Sequence, residues 1–280
     1  MKKRVVAAII LICMLVGMQI SAADTRPVVK VPVVLYHVVD EAGESLAVSP
    51  ELLREHMEIM YLNGYTPVSL QEMINYVEKG EELPEKPVCI TFDDGYTDNY
   101  LNAFPILKEY EAKATIFVIG VSVGKDTYKN TEYKMNPHFD YEQAKEMIDS
   151  GLVSIQSHTY DMHQWAEFER TSEPRQHIWR FEGETLHEYL TAIDTDIKKS
   201  KNDLESNLGT EVYAFAYPTG RYNGLAEMML RKNGIRVTMT TAVGPNYLKK
   251  YDTYSLHALN RYSIDGSISA QQLLDWLEEE

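Results

Sequence analysis

Two carboxylates stand side by side at the end of an apolar run in VCITFDDGY, residues 88–96. Asp93 and Asp94 repel each other and lose solvation together, so the pair calls for a compensating positive charge. Two histidines follow in SIQSHTYDMH: His158 and His163, five residues apart. On a helix that step puts them about 140° apart, and on a straight strand an odd step sends them to opposite faces. Both reach one cation only if the chain turns after His158, and Thr159-Tyr160-Asp161 reads as a turn. Two imidazoles plus one carboxylate, with coordination positions left open, form the donor set of a catalytic divalent metal. Zinc suits these ligands best, with cobalt, nickel or manganese as alternatives. Such an ion lowers the pKa of bound water and polarises a carbonyl, and its charge offsets the repulsion between the aspartates. One aspartate can then ligate while the other stays free as a base.

Each signal is weak alone. An Asp-Asp pair is most often a solvated loop, a histidine pair most often surface or core, and Tyr-Pro beside glycine usually a turn. Their joint placement at strand ends carries the argument. Buried strands are expected at 31–39, 87–92, 114–120, 152–158, 212–218 and 235–241, with a last one near 256–264. Helical patterns fall at 49–64, 69–80, 98–111, 140–151, 189–209, 223–233 and 268–279. The alternation predicts an α/β fold with a parallel sheet inside and helices outside, most simply a barrel, with an open doubly wound sheet as the alternative. In such barrels the working groups sit at the C-terminal ends of strands. His37, Asp93 with Asp94, His158, and Tyr217 with Pro218 all occupy such ends.

The chain opens with Lys2, Lys3 and Arg4, an apolar run from Val5 to Ile20, and small residues Ser21 to Ala23. That is the plan of a secretory signal over residues 1–23, or of an N-terminal anchor at the membrane surface. The rest, 24–280, reads as one extracytoplasmic domain and a monomer. Losing the three basic residues would take the formal net charge from −15 to −18, which argues against nucleic acid as a partner. Cys89 is the one cysteine outside the leader and reads as a small core residue.

TFDDGY, SHTYDMH and AYPTGRYN resemble the motifs of the polysaccharide deacetylases of carbohydrate esterase family 4, the NodB homology domain, across residues 31 to about 265. The resemblance implies a distorted (β/α)7 barrel that uses a divalent metal to remove acetyl groups from an N-acetylated glycan. It implies Asp93 as general base, Asp94, His158 and His163 as metal ligands, and the Thr219 backbone N–H as oxyanion donor. Tyr217 and Pro218 would line the substrate groove. Three departures stand out. The histidine step is i, i+5, as in the biofilm poly-N-acetylglucosamine deacetylase branch. Ala216 stands where an arginine usually tunes the base, with Arg261 as a substitute or a substrate contact. The late L-x-H motif is matched poorly by His257 in SLHAL. The opening VPVVLYHVVD resembles a strand that a circular permutation has moved to the N-terminus of that branch, which makes His37 the general acid, with His257 as the alternative. Rival readings are a non-catalytic glycan-binding module on the same barrel, and an esterase acting on xylan acetyl groups. The other histidines, His56, His138, His177 and His187, read as solvated. Residues 164–190 read as a polar insertion whose Trp165, Phe168, Trp179 and Phe181 either anchor it or stack on sugar.

Overall fold

The computed structural model describes residues 25–41, 46–129, 131–169 and 173–279. The leader expected at 1–23 lies outside them. Among the described residues, no helix is long and apolar enough to cross a membrane.

The strands are β1 (Val28–Lys30), β2 (Val33–Tyr36), β3 (Val38–Val39), β4 (Ala47–Val48), β5 (Thr66–Pro67), β6 (Pro87–Phe92), β7 (Ala114–Val118), β8 (Val153–Ser157), β9 (Ala214–Ala216), β10 (Val237–Met239), β11 (Tyr247–Lys249) and β12 (Tyr262–Ser263). The helices are α1 (Pro50–Leu62), α2 (Leu70–Lys79), α3 (Phe104–Glu109), α4 (Tyr141–Asp149), α5 (Leu186–Leu208), α6 (Gly224–Lys232) and α7 (Ala270–Glu278). The main sheet runs β10-β9-β8-β7-β6-β2-β12, with every pair parallel. Its edges meet through one segment. Leu259 pairs with Met239 at the end of β10, and three residues later β12 pairs with β2. The barrel expected from the alternation is therefore the one observed.

Sheets covered on both faces need apolar residues throughout, and β6 and β7 are buried at every position. The outer helices are fixed by local chemistry. Ser69 with Glu72, Asp140 with Gln143, and Thr185 with Glu188 form reciprocal capping boxes at the starts of α2, α4 and α5, satisfying N–H groups that helix termini leave unpaired.

Some boundaries differ from expectation, each for a visible reason. The strand expected at 31–39 is interrupted at His37, between β2 and β3, which frees that residue from the ladder. The helix expected at 98–111 opens as a wide π turn at Asn99–Ala103 before α3, because Pro105 lacks the N–H that a regular turn requires. The strand expected near 256–264 shrinks to β12, since a 3₁₀ turn at Thr253–Leu256 takes its start and Ala258, at φ +53, breaks the extended run.

Candidate metal centre and acid–base site

The parallel register sets the site. Tyr36 lies opposite Phe92, and the Asp93 N–H donates to the Tyr36 carbonyl at 3.0 Å, so His37 and Asp93 occupy the same row just past the strand ends. Consecutive strand residues normally point to opposite faces. Here Asp94 adopts φ +71, a left-handed conformation that aspartate tolerates better than most residues, and the alternation breaks. Gly95 follows at φ +86, where a Cβ would lie 2.8 Å from Val118 Cγ1. No residue with a side chain fits that position without strain.

The second motif turns as the metal reading requires. Thr159 takes φ +112, which a β-branched residue avoids unless its surroundings enforce it. Asp196 on α5 supplies that enforcement. Its carboxylate accepts from Thr159 Oγ1 at 2.5 Å, Tyr160 N at 2.9 Å and Asp161 N at 2.7 Å. The turn brings the His158 and His163 rings to 5.3 Å, edge to face. His158 Nε2 lies 3.6 Å and His163 Nε2 3.8 Å from Asp94 Oδ1. Each imidazole is oriented from behind. His158 Nδ1–H donates to the Ala216 carbonyl at 2.9 Å and His163 Nδ1–H to the Gln176 carbonyl at 3.1 Å. Backbone partners of this kind fix the tautomer and leave Nε2 free to ligate. Asp94 Oδ1 is buried and has no hydrogen-bond partner among the described residues. An orphaned carboxylate oxygen facing two imidazole lone pairs is costly in a protein interior, and a divalent cation satisfies all three groups. Asp94, His158 and His163 thus fit a metal by donor type and spacing, and among the described residues they are the one such group.

Asp93 is differently placed. Burial opposes its ionisation, but the Arg261 guanidinium, followed by His158, holds its carboxyl well below the usual carboxylate range. Arg261 makes a two-pronged contact, Nη1 to Oδ1 at 2.8 Å and Nη2 to Oδ2 at 2.7 Å. Burial likewise works against the Asp94 charge, and His163 and His158 outweigh it. His158 itself is pushed down to about 4, by burial against the pull of both aspartates. It therefore stays neutral at physiological pH, as a ligand must.

The reading of Arg261 as a substrate contact needs correction. It is fully buried and cannot reach a glycan; it acts on the base instead. Tyr217 and Pro218 are likewise buried, so they do not line a groove. The Tyr217 hydroxyl donates to Glu227 Oε2 at 2.5 Å, below the exposed Thr219, which sits at φ +56. His257 is drawn into the same cluster, its Nδ1 2.6 Å from Glu227 Oε1. His37, by contrast, is among the charges acting on both Asp93 and Asp94, and its Nδ1 is buried without a hydrogen-bond partner among the described residues.

The expectation of solvated histidines fails for His56 and His138, which are buried. His56 bridges the Tyr36 hydroxyl and the Ile268 carbonyl at 3.1 and 2.8 Å, while His138 packs on Tyr96. Within the described part of 164–190, Trp165 and Phe168 stack on each other at 5.6 Å and Phe181 lies under Arg175. Trp179 stands exposed. Cys89 is buried as expected, its thiol pushed up to about 12 chiefly by burial.

The family described as polysaccharide deacetylase matches residues 80–238 of this chain. The chain belongs to the polysaccharide deacetylase family. The matched region contains Asp93, Asp94, His158, His163 and Thr219, whereas His37, His257 and Arg261 fall outside it. The Bacillus subtilis (strain 168) protein YxkH, whose own name carries the family designation provisionally, is 31% identical over 254 residues, covering 91% of this chain and 78% of that one. The poly-beta-1,6-N-acetyl-D-glucosamine N-deacetylase of Escherichia coli (strain K12) is 30% identical over 225 residues, and the match covers 75% of this chain but only 33% of that longer protein. Among solved structures, IcaB from Ammonifex degensii superposes with a TM-score of 0.73 at 26% identity, over 89% of this chain and 97% of that one. The Streptococcus pyogenes deacetylase PplD, solved in complex with acetate, gives 0.68 at 28% identity, over 90% and 100%.

Proposed function

We propose that this polysaccharide deacetylase removes N-acetyl groups from a polymer containing N-acetylglucosamine, using a divalent metal, zinc foremost. The observation that carries the reading is the division of labour between adjacent aspartates: Asp94 turned toward two imidazoles, Asp93 held ionised by Arg261. A metal at Asp94, His158 and His163 would activate water and polarise the acetyl carbonyl. The protein's own groups do the rest. Asp93 accepts a proton from the attacking water; its low basicity is tuned by the Arg261 fork. The Thr219 N–H donates to the oxygen that gains charge in the transition state. His37, level with Asp93, gives a proton to the departing amine. His257 is already engaged by Glu227 and belongs to the support of the Thr219 turn.

The relatives named for poly-beta-1,6-N-acetyl-D-glucosamine support the choice of polymer. The basic and apolar start of the chain supports an extracytoplasmic location, with residues 1–23 as cleaved signal or membrane anchor, and the domain is taken to work as a monomer. The experiment is acetate release from N-acetylglucosamine oligomers by the zinc-loaded protein and its Asp94→Asn variant. Equal release by both would refute the assignment.

A further inference from the structure

At His37 the chain leaves one ladder for another. Tyr36 still pairs with Phe92 in the main sheet, whereas Val38 and Val39 pair with Ala47 and Val48 in a separate two-stranded sheet. His37 lies between the two, so its carbonyl needs a partner from outside the ladders. That partner is a side chain: Asn99 Nδ2 donates to the His37 carbonyl at 2.7 Å. The same nitrogen donates to Asp98 Oδ1 at 2.8 Å, and Asp98 Oδ1 also accepts from the Val39 N–H at 3.0 Å. Asn102 Nδ2 donates to the Val39 carbonyl at 2.7 Å. Three neighbouring side chains thus grip backbone 37–39, and they belong to the π turn Asn99–Ala103 and its leading residue. Single π turns recur at functional sites.

Asn99 is fully buried. With two oxygen acceptors on one side, its amide must turn the nitrogen toward them and Oδ1 away. That oxygen is buried without a hydrogen-bond partner among the described residues, and so is His37 Nδ1. A tie that served stability alone would gain more from an apolar side chain or a fully paired one. What this one secures is position. Asn99 follows Asp93 by six residues, so the base, the metal-facing Asp94 and the grip on His37 all ride on one continuous segment. Misplacing a reacting group by about 1 Å can cost about 10²-fold in rate.

We propose that Asn99 is the positioning residue for His37, holding its carbonyl so that the ring stays level with Asp93. The inference rests on His37 as proton donor to the departing amine in the deacetylase reading above. The test uses zinc-loaded protein in four forms: parent, Asn99→Leu, His37→Gln and the double variant. Asn99→Leu keeps the bulk of the side chain and removes the donor. It is expected to lower kcat for acetate release from N-acetylglucosamine oligomers about 10–100-fold, with KM and zinc affinity each within about two-fold. In the His37→Gln background the same substitution is expected to change kcat by less than about two-fold, because the group it positions is already gone. A second readout needs no turnover. The His37 ring resonance of histidine-labelled protein, assigned by its loss in His37→Gln, is expected to shift and broaden in Asn99→Leu. Asn99→Ser, smaller and still polar, carries the same readings where the leucine variant does not fold. Parental kcat with an unmoved His37 resonance overturns the inference. So does an equal loss of kcat in both backgrounds, which would make Asn99 a structural tie only. If the resonance moves but the parent holoenzyme releases no acetate, the positioning stands and the deacetylase reading falls.

Discussion

Replacing Arg261 by methionine isolates the charge on which the proposed base depends. The guanidinium is fully buried and its Asp93 partner is 3% exposed. Two parallel bonds of 2.8 and 2.7 Å join them, and Nε donates to the Thr240 carbonyl at 2.7 Å. Removing one partner of such a pair strands a buried charge, at a cost of about 3–5 kcal/mol. The titration follows the same logic. Burial raises the Asp93 pKa, and Arg261 first, then His158, pull it below the unfolded value. A depressed carboxylate contributes stability above its unfolded pKa, and that contribution is lost as pH falls through the folded pKa. The parent therefore keeps the Asp93 contribution from neutral pH to below about pH 4, and the methionine variant does not. Raising the folded pKa also moves the acid limb of the kcat/KM profile to higher pH. Urea unfolding of the zinc-loaded proteins at pH 7, with a pH–rate profile of acetate release, reads both effects. Arg261→Lys, a point charge without the fork, should recover only part of each. A methionine variant within about 1 kcal/mol of the parent, with an unmoved acid limb, would refute the reasoning.

Asp196→Ala removes the acceptor for three hydrogen bonds in the His158–His163 turn; metal affinity should fall about 10–100-fold, measured by chelator competition. His37→Gln should lower kcat by about 10²–10⁴ with a small change in KM. His257→Gln should instead lower the melting temperature and keep most of the rate, because His257 meets Glu227 rather than the aspartates; the opposite pattern in steady-state kinetics would exchange their roles. Gly95→Ala forces a Cβ to 2.8 Å from Val118 at φ +86 and should cost at least about 1–3 kcal/mol in thermal unfolding.

The sequence made the strand ends legible because each carries a polar group directly after an apolar run. Asp93, Asp94 and His158 could be placed at strand ends from that pattern, whereas His163 joins them only through the turn at Thr159–Asp161, which the residue types suggested and the family resemblance implied. The arginine beside the base was legible only through the family resemblance, which implies an arginine where Ala216 stands and so pointed to Arg261 as a substitute from another strand. Asp196 was not legible. It lies within α5, 35 to 37 residues from the turn it holds, and an acidic residue on a helix reads as solvated until the partner segment is known. Glu227 is hidden for the same reason, as one charge in an amphipathic helix whose carboxylate gathers Tyr217, Thr238 and His257. The buried histidines His56 and His138 escaped because a titratable ring on a polar-looking segment gives no sign of what covers it. Tyr217 and Pro218 were misjudged because a strand end marks height along the barrel, not which side of the chain faces the substrate.

The central claim is that Asp94, His158 and His163 hold a metal beside an ionised Asp93, and that this pairing cleaves acetamides on a glycan. Acetate released from N-acetylglucosamine oligomers tests it most directly, measured for the parent before chelation, after chelation and after zinc is returned, with Asp93→Asn alongside. The account predicts release that chelation abolishes and zinc restores, and that Asp93→Asn reduces by about 10²-fold or more. Release that survives chelation, or that Asp93→Asn leaves unchanged, would contradict it.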